Sequence, residues 1–299
     1  MALPKAIDNP LVPPLKCQGI KRRLAPFILA SVQWHGRGRW VEPFLGSGVL
    51  LFNALPQRAL ACDINPHIIA LYRGIQSGDI TPTAVRDHLE REGDRLAETG
   101  PGADESYYYQ VRQRFNDHHD PLDYLFLNRS CFNGMVRFNQ KGGFNVPFCR
   151  KPNRFRKAYI TRICNQVEAV QTAMEGRDWH FEVASWQSTL HDCTDDDFVY
   201  LDPPYIGRHT GYFNTSWTDD EAASLADTAR QLPGPMALSM WKENRHRSND
   251  HLDHCWDWAV ERTEEHFYHL GATESLRNAM TEALMITPGA QAPLPTPAS

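Results

Sequence analysis

The sequence lacks any apolar run of the roughly 20 residues that a membrane-spanning helix requires. Residues 1–14 also lack an apolar segment, so we expect neither a membrane span nor a secretory signal. The seven cysteines are scattered and include no Cys-x-x-Cys pair, which predicts reduced thiols in a cytoplasmic protein and no zinc ribbon. No internal repeat is visible, and this disfavours solenoid and propeller folds.

The composition is that of an ordinary globular protein, with 41% apolar and 22% charged residues in 299. This length predicts one large domain, or one core that carries an inserted lobe. Residues 107–162 contain eleven Lys/Arg against three Asp, a local net charge of +8. Because the whole chain has a net charge of −5, the remaining residues carry −13. Such a basic segment favours a surface for a polyanion such as nucleic acid, and a solvated basic face is the alternative.

Short β-like runs alternate with helical patterns along much of the chain. Asn65-Pro66 predicts the capped start of one helix, and Thr218, followed by three acids, predicts the start of another. Strands that alternate with helices indicate an α/β fold with a largely parallel sheet. The predicted strands are residues 39–44, 59–64, 180–184, 198–202, 236–240, 266–270 and 282–287.

The alternation stops between residues 76 and 165, where the pattern is helical and the basic charge is concentrated. The predicted helices there are 84–97, 105–117 and 122–128, with a further helix at 157–173. We therefore expect a lobe at 76–165 inserted into a core formed by 1–75 and 166–288. Residues 289–299 are rich in Pro and Ala and are predicted to be a disordered tail.

The first chemical motif is a glycine turn after a predicted strand, Glu42-Pro-Phe-Leu-Gly46-Ser-Gly48. Glycines let a ligand approach the backbone, and the helix that follows offers N–H groups. A third glycine, which dinucleotide binding would place at Leu51, is absent, and this disfavours a nicotinamide cofactor. Asp63 ends the next strand, where an acid can accept hydrogen bonds from two ribose hydroxyls. The pattern favours a nucleoside cofactor, and a tight turn with an unrelated acid is the alternative.

The second motif is Asp202-Pro203-Pro204-Tyr205, which follows an apolar strand. Two prolines fix φ, so the turn is stiff. At the carboxyl end of a strand, the turn would bring together a carboxylate, the Pro203 carbonyl and the Tyr205 ring. This trio suits a planar base whose amino hydrogens donate to Asp202 and Pro203 while Tyr205 stacks on the ring. A proline-rich loop with a capping acid is the alternative.

These two motifs together resemble those of the S-adenosylmethionine-dependent amino-methyltransferases of DNA. Residues 126–148 are similar to the Dam-type DNA adenine methyltransferases in particular, through Phe126-Leu-Asn-Arg-Ser-Cys-Phe-Asn-Gly134, Arg137 and Gly143-Phe-Asn-Val-Pro-Phe148. Residues 14–21 and 282–287 and the order of the motifs are similar too. The resemblance implies a Rossmann-like α/β methyltransferase core with a mixed seven-stranded sheet. It also implies methyl transfer from S-adenosylmethionine to the N6 amino group of a flipped adenine in duplex DNA.

The resemblance implies that Asp202, Pro203, Pro204 and Tyr205 are catalytic. It further implies a cofactor site lined by Lys21, Glu42, Phe44, Gly46, Gly48, Asp63, Ser185, Trp186 and Asp202. Ser185-Trp186 departs from the family's usual Asp-Phe, and Cys17 and Ile20 replace a usual Trp and Gly. Trp186 can still offer a ring face to the cofactor's adenine, but Ser185 is a weaker acceptor, so we expect the departures to affect cofactor affinity.

In the inserted lobe and near the start of the chain, the resemblance implies DNA contacts by Lys16, Arg129, Phe132, Asn133, Met135 and Arg137. Phe132 would stack on the base left unpaired by flipping, and Asn133 and Met135 would enter the duplex. Arg137 would read a guanine in the major groove, which favours GATC or an overlapping site, and Lys16 would reach the first base pair. Neutralisation of phosphates is the alternative role for Arg137 and Lys16.

Two further features suggest no chemistry. His118-His119 lacks the spacing of a closed metal site, and methyl transfer needs no metal, so we expect none. Asp195–Asp197 precedes a predicted strand, and we expect these acids only to solubilise its start.

Two other functions stay open at this stage. One is the same chemistry on N4 of cytosine or on adenine in RNA. The other is a DNA-binding protein that has lost catalysis, which the departures at Ser185 and Cys17 would allow. Double-stranded DNA is the expected partner, a cognate restriction nuclease is a further candidate, and the sequence does not indicate an oligomeric state.

Overall fold

The computed structural model describes residues 2–98, 106–205, 217–244, 247–267 and 279–293. A mixed β-sheet with the strand order β3-β2-β1-β4-β5-β8-β7 forms the centre of the fold, and a two-residue strand, β6, pairs with β5 off this path. The seven-stranded path confirms the predicted α/β core. The strands are β1 (Trp40–Glu42), β2 (Arg58–Asp63), β3 (Asp178–Val183), β4 (Phe198–Leu201), β5 (Met236–Asn244), β6 (Arg247–Ser248), β7 (Val260–Phe267) and β8 (Ala279–Ile286).

Five neighbouring strands, from β3 to β5, run parallel, and β8 runs antiparallel between β5 and β7. The carboxyl ends of parallel strands meet at one edge of a sheet, which is where such sheets bind ligands. At this edge β2 ends in Asp63, β1 ends in Glu42, and Asp202 directly follows β4. Three acids from three adjacent strands therefore lie side by side.

Two helices begin at their predicted caps. Asn65 caps α3 by accepting the N–H of His67, with Pro66 in the first turn, and Thr218 caps α9 by accepting the N–H of Glu221. None of the described helices is long and apolar enough to span a membrane. The helices are α1 (Ala25–Ser31), α2 (Leu51–Ala54), α3 (Pro66–Ser77), α4 (Pro82–Glu98), α5 (Ser106–His118), α6 (Pro121–Ser130), α7 (Lys157–Met174), α8 (Trp186–His191), α9 (Asp219–Arg230) and α10 (Asp250–Cys255), with 3-10 turns at Phe132–Gly134 and Pro152–Phe155.

Helices α4, α5 and α6, followed by the largely irregular residues 131–156, occupy the region of the expected lobe. Helix α4 packs against α7, and α6 packs against α3. Helix α7 runs through the expected boundary at residue 165. One apolar cluster includes Trp40 of the sheet and Phe115 and Ile163 of the helices, so the lobe shares its core with one face of the sheet.

Alternation along β4 separates the two faces of the sheet. Phe198 and Tyr200 belong to the cluster shared with the lobe, whereas Val199 and Leu201 belong to a second cluster on the opposite face. With both faces covered, all four residues of β4 are buried, and the strand delivers Asp202 to the ligand-binding edge.

Three predictions about local structure differ from the structure. Asp197 is only 2% exposed and accepts hydrogen bonds from the backbone and guanidinium of Arg39 and from the N–H of Thr194, so the view that this acid only solubilises the strand was wrong. Strand β7 begins at Val260, well before the predicted start at 266, and residues 268–270 lie outside the described ranges. Within the expected tail, residues 290–292 form backbone hydrogen bonds with residues 31 and 33, and residues 294–299 lie outside the described ranges.

Candidate active site

The Asp202-Pro-Pro-Tyr205 turn leaves the carboxyl end of β4 next to a buried lysine. Lys21 Nζ lies 2.6 Å from Asp202 Oδ1 and also donates to the Gly19 carbonyl at 3.2 Å. The Lys21 side chain is 1% exposed and that of Asp202 is 24% exposed. A buried ammonium is stable only when it is paired, so Lys21 fixes one carboxylate oxygen while the carboxylate stays accessible from the site.

Opposing effects set the protonation of Asp202. Burial raises the pKa of Asp202 above its ordinary value, and Glu282 adds to this rise. The ammonium of Lys21 and a hydrogen bond from Ser239 act in the opposite direction on that pKa. Lys21 therefore favours the ionised form, which accepts hydrogen bonds.

Tyr205 is held at both ends of its side chain. Its hydroxyl donates to the buried carboxylate of Glu282, with distances of 2.9 Å to Oε2 and 3.1 Å to Oε1. Its ring centroid lies 4.9 Å from Lys21 Nζ, a distance typical of a cation–π contact. The ring expected to stack on a base is thus packed against the lysine that holds Asp202.

The glycine turn after β1 is tied to the end of β2. Asp63 Oδ2 accepts the N–H of Gly46 at 2.9 Å, and Oδ1 accepts the N–H of Asn65 at the same distance. Gly46 and Gly48 have φ of 50° and 69°, a region that favours glycine. A Cβ built on Gly46 would meet nothing within 4 Å, so this turn has open space for a ligand beside its backbone.

Glu42 lies between these two parts of the site, at the end of β1. It is 2% exposed, and its Oε1 accepts the Trp40 indole N–H at 2.7 Å. Burial, with a smaller contribution from Asp202, raises the pKa of Glu42 to about 8. Burial therefore favours the protonated form of Glu42, which can donate as well as accept a hydrogen bond.

Cys17, one of the departures from the family pattern, lies near the carboxylates of both Asp63 and Asp202, and burial together with these two charges raises the pKa of its thiol. The thiol of Cys17 thus lies within electrostatic range of an acid from each of the two motifs. The neutral thiol of Cys17 is small and uncharged, whereas the tryptophan that Cys17 replaces in the family pattern has a much larger side chain.

The other expected cofactor residues lie at the start of α8 and in the turn after β1. Ser185 is exposed, and its Oγ caps α8 by accepting the N–H of Ser188. Trp186 is 6% exposed, packs in the second apolar cluster and donates its ring N–H to Glu221 at 3.2 Å. Phe44 is half-buried, and its ring forms a T-shaped contact with Trp217 at 5.6 Å between centroids. Trp217 was not singled out from the sequence, although an indole just beyond the Asp-Pro-Pro-Tyr segment was a signal for it.

A loop at the start of the irregular segment presents an aromatic ring to solvent. Phe132 is 51% exposed, unlike most large apolar residues described. Its backbone N–H donates to the Pro147 carbonyl at 2.8 Å, and exposed Asn133 has φ of 55°. A Cβ on Gly134 would lie 2.7 Å from Cδ of Lys16, so the loop packs directly on the Lys16 stem. The loop is therefore anchored while its tip protrudes.

Arg137 is half-buried and oriented by Asn145. Its Nε donates to Asn145 Oδ1 at 2.8 Å, and its Nη2 donates to the Asn145 carbonyl at 3.0 Å. These two hydrogen bonds use the Nε–Nη2 edge of a guanidinium that carries five N–H donors. The two Nη1 hydrogens and the second Nη2 hydrogen do not take part in the contact with Asn145. Met135 is partly buried against the shared core.

Arg129 and Lys16 meet at Tyr159, which the sequence did not single out. Arg129 is 4% exposed and donates a hydrogen bond to the side-chain oxygen of Gln166. It therefore does not lie on the surface where Phe132 protrudes. Its guanidinium lies 5.8 Å from the Tyr159 ring centroid, Lys16 Nζ lies 5.7 Å away, and Arg154 lies 4.6 Å away. Burial opposes ionisation of the Tyr159 phenol, but the three cations leave its pKa below the ordinary value. The only signal for Tyr159 in the sequence was its position as a tyrosine within the basic segment.

No group of three or more His, Cys, Asp or Glu side chains in the described part of the chain is arranged to hold a metal ion.

Comparison with known proteins gives a consistent result. The model of the D12 class N6 adenine-specific DNA methyltransferase family matches residues 18–275. A DNA adenine methylase of Vibrio cholerae serotype O1 is 31% identical over 217 residues, covering 68% of this chain and 71% of the relative. The DNA adenine methylase of Escherichia coli K12 is 32% identical over 202 residues, which cover 64% of this chain and 66% of the relative. The DNA adenine methylase of Haemophilus influenzae Rd is 29% identical over 247 residues, which cover 78% of this chain and 79% of the relative.

Proposed function

Because the chain belongs to the D12 class N6 adenine-specific DNA methyltransferase family, we propose that it methylates N6 of an adenine flipped out of duplex DNA, with S-adenosylmethionine as cofactor. The observation that carries this proposal is the Lys21–Asp202 pair at the carboxyl end of β4, with the Tyr205 ring beside it. The family match favours adenine over N4 of cytosine, the alternative that the sequence left open. The proposed setting is the cytoplasm, where the enzyme meets DNA.

The residues at the ligand edge of the sheet fit the proposed cofactor. The open backbone at Gly46 and the carboxylate of Asp63, which already accepts the N–H of Gly46, suit a ribose because a carboxylate can accept several hydrogen bonds. When bound, S-adenosylmethionine supplies the methyl group. Lys21, Glu42, Phe44 and Gly48 would complete the site, with Ser185 and Trp186 at its periphery.

The turn would bind the adenine through its amino group. Asp202 Oδ2 and the Pro203 carbonyl would each accept one amino hydrogen, which orients the nitrogen lone pair for the transfer. Lys21 occupies Oδ1 and so fixes the plane of the carboxylate. Tyr205 would support the base through its ring, with Pro204 making the turn rigid. Catalysis of this kind rests on positioning and electrostatics, without a covalent enzyme intermediate.

Access to the amino group requires the adenine to leave the duplex. The anchored loop suits this task because the exposed Phe132 ring and Asn133 protrude from it. We propose that Phe132 stacks on the base left unpaired, with Asn133 and Met135 entering the duplex beside it. The helical lobe at 76–165 would be the target-recognition lobe.

Sequence specificity would depend on Arg137. Asn145 holds one edge of the guanidinium, and the Nη1–Nη2 edge suits a bidentate contact with O6 and N7 of guanine. We propose GATC or an overlapping sequence as the target, with Lys16 at the first base pair. Arg129 is buried behind it, on the Tyr159 ring that Lys16 also contacts, and would add positive charge near the DNA.

Methylation mapping tests this proposal. The chain would be expressed in a host without adenine methylation, and its DNA sequenced by a method that detects N6-methyladenine. We expect methylation at GATC or an overlapping sequence, and none with Asp202→Ala. Methylation at an unrelated sequence would exclude GATC as the target. Absence of N6-methyladenine, with soluble wild-type protein present, would overturn the proposed reaction.

A further inference from the structure

Glu282 lies on β8, at the level of the Asp-Pro-Pro-Tyr turn. In the sheet register Leu201, the last residue of β4, is opposite Leu238 of β5, and Glu282 is opposite Trp241, three residues further along β5. Strand β5 thus lies between the end of β4 and Glu282. The acid reaches the turn from the antiparallel side of the sheet, on the far side of β5 from the glycine turn.

Glu282 is an acid among apolar strand neighbours. It is 2% exposed, and Ala283, Leu284 and Met285 after it are all buried. Burying a carboxylate costs free energy unless its oxygens are hydrogen bonded. Both oxygens lie within 3.1 Å of the Tyr205 hydroxyl, so the acid is satisfied in part by the last residue of the turn.

The contact connects Glu282 to the residues proposed to hold adenine. Tyr205 bonds to Glu282 through its hydroxyl, its ring lies 4.9 Å from Lys21 Nζ, and Lys21 lies 2.6 Å from Asp202. A hydroxyl fixed by a buried carboxylate restricts rotation of the ring about both side-chain torsions. Without that acceptor, the ring could tilt and Lys21 would lose its packing surface.

We propose that Glu282 is a positioning residue for methyl transfer, which holds the Tyr205 ring in the plane that supports the adenine and keeps Lys21 on Asp202. This inference rests on the proposed function, because it assigns a role within the same site. Glu282 itself touches neither the base nor the methyl group in this role. Its removal should therefore lower kcat more than it weakens binding of DNA or cofactor.

The test is a double-mutant cycle in the full-length protein, with methyl transfer to duplex DNA measured at saturating substrates. Glu282→Ala should lower kcat by roughly 10- to 100-fold, the loss expected when a reacting group is misplaced by about 1 Å. Tyr205→Phe, which removes only the hydroxyl, should cost about tenfold, equivalent to one hydrogen bond. The double variant should be no worse than the poorer single variant, because both changes break the same contact. KM for DNA and the cofactor dissociation constant should stay within about twofold.

Two comparisons separate positioning from loss of structure. Glu282→Gln keeps an acceptor for the tyrosine hydroxyl and should recover most of the kcat lost in Glu282→Ala. Glu264 is directly opposite Glu282 on β7 and is exposed, so Glu264→Ala should behave as wild type. Where Glu282→Ala is insoluble, Glu282→Met fills the volume without accepting a hydrogen bond and replaces it in the cycle.

The inference is overturned if the two single losses multiply in the double variant, if Glu282→Gln is as impaired as Glu282→Ala, or if the loss falls on KM alone. Each of these results requires an active wild-type enzyme, so they contradict the role of Glu282 only. A wild-type protein that does not methylate adenine would instead overturn the proposed function.

Discussion

Lys21 Nζ lies 2.6 Å from Asp202 Oδ1, although the two residues are 181 positions apart in the chain. The cation is buried and its partner is partly open to the site. Lys21 therefore fixes one carboxylate oxygen, while the carboxylate as a whole stays partly open to the site. Several predictions about catalysis depend on this pair.

Replacing Asp202 should abolish most activity. Asp202→Ala removes one pre-organised acceptor, which costs on the order of 3 kcal/mol or more than a hundredfold in rate. It also leaves Lys21 buried without this partner, so thermal stability should fall too. Asp202→Asn is the sharper variant, because its carbonyl can keep Lys21 while its NH₂ group opposes the amino group of adenine. Near wild-type turnover by a folded Asp202→Asn protein would contradict the assignment.

The pH profile should report the same pair. Burial places the pKa of Asp202 above its ordinary value, and the ionised form is the acceptor, so activity should fall as the pH drops through this raised pKa. Lys21 lowers that pKa, whereas Glu282 raises it. Lys21→Gln should therefore move the acidic limb of kcat to higher pH, in addition to lowering kcat.

A surface lysine provides the control for this shift. Lys242 pairs with Glu261, and Lys242→Gln should leave the acidic limb in place. An acidic limb that does not move in Lys21→Gln would show that a group other than Asp202 controls it.

Asp63 should contribute to cofactor affinity. Asp63→Ala would remove two charge-assisted hydrogen bonds to the ribose and should weaken S-adenosylmethionine binding by about 1–3 kcal/mol, measured by calorimetry. Asp178, an exposed acid at the opposite end of the sheet, provides the control, and Asp178→Ala should bind normally. An unchanged dissociation constant in Asp63→Ala would place the ribose elsewhere.

Arg137 should determine specificity at one base pair. If its outer edge reads guanine, Arg137→Ala should cost about 1–3 kcal/mol on the cognate site and relax discrimination at that position. If it only neutralises a phosphate, activity should fall equally on all sites and the salt slope should drop by about one. Methylation of GATC duplexes and their single-base variants at several salt concentrations distinguishes the two roles.

Local chemistry made part of this structure predictable. The caps at Asn65 and Thr218 depend on residues within one turn, and both helices begin there. The glycine turn and the Asp-Pro-Pro-Tyr turn are likewise local motifs, and the sheet brings them to one edge.

Contacts between distant segments were not predictable in the same way. The early start of β7 depends on its pairing with β8, and the burial of Asp197 depends on Arg39. Arg129 is part of a motif that indicates DNA contact, yet it is buried and donates to Gln166, 37 residues away. The bond from Tyr205 to Glu282 spans 77 residues, so neither residue alone could indicate it.

The most direct test of the central claim is a methyl-transfer assay with purified protein, radiolabelled S-adenosylmethionine and duplex DNA, followed by enzymatic digestion and nucleoside analysis. The account predicts that label appears in N6-methyladenine, and that Asp202→Asn reduces it more than a hundredfold. Label in N4-methylcytosine, or equal labelling by wild type and Asp202→Asn, would contradict the account.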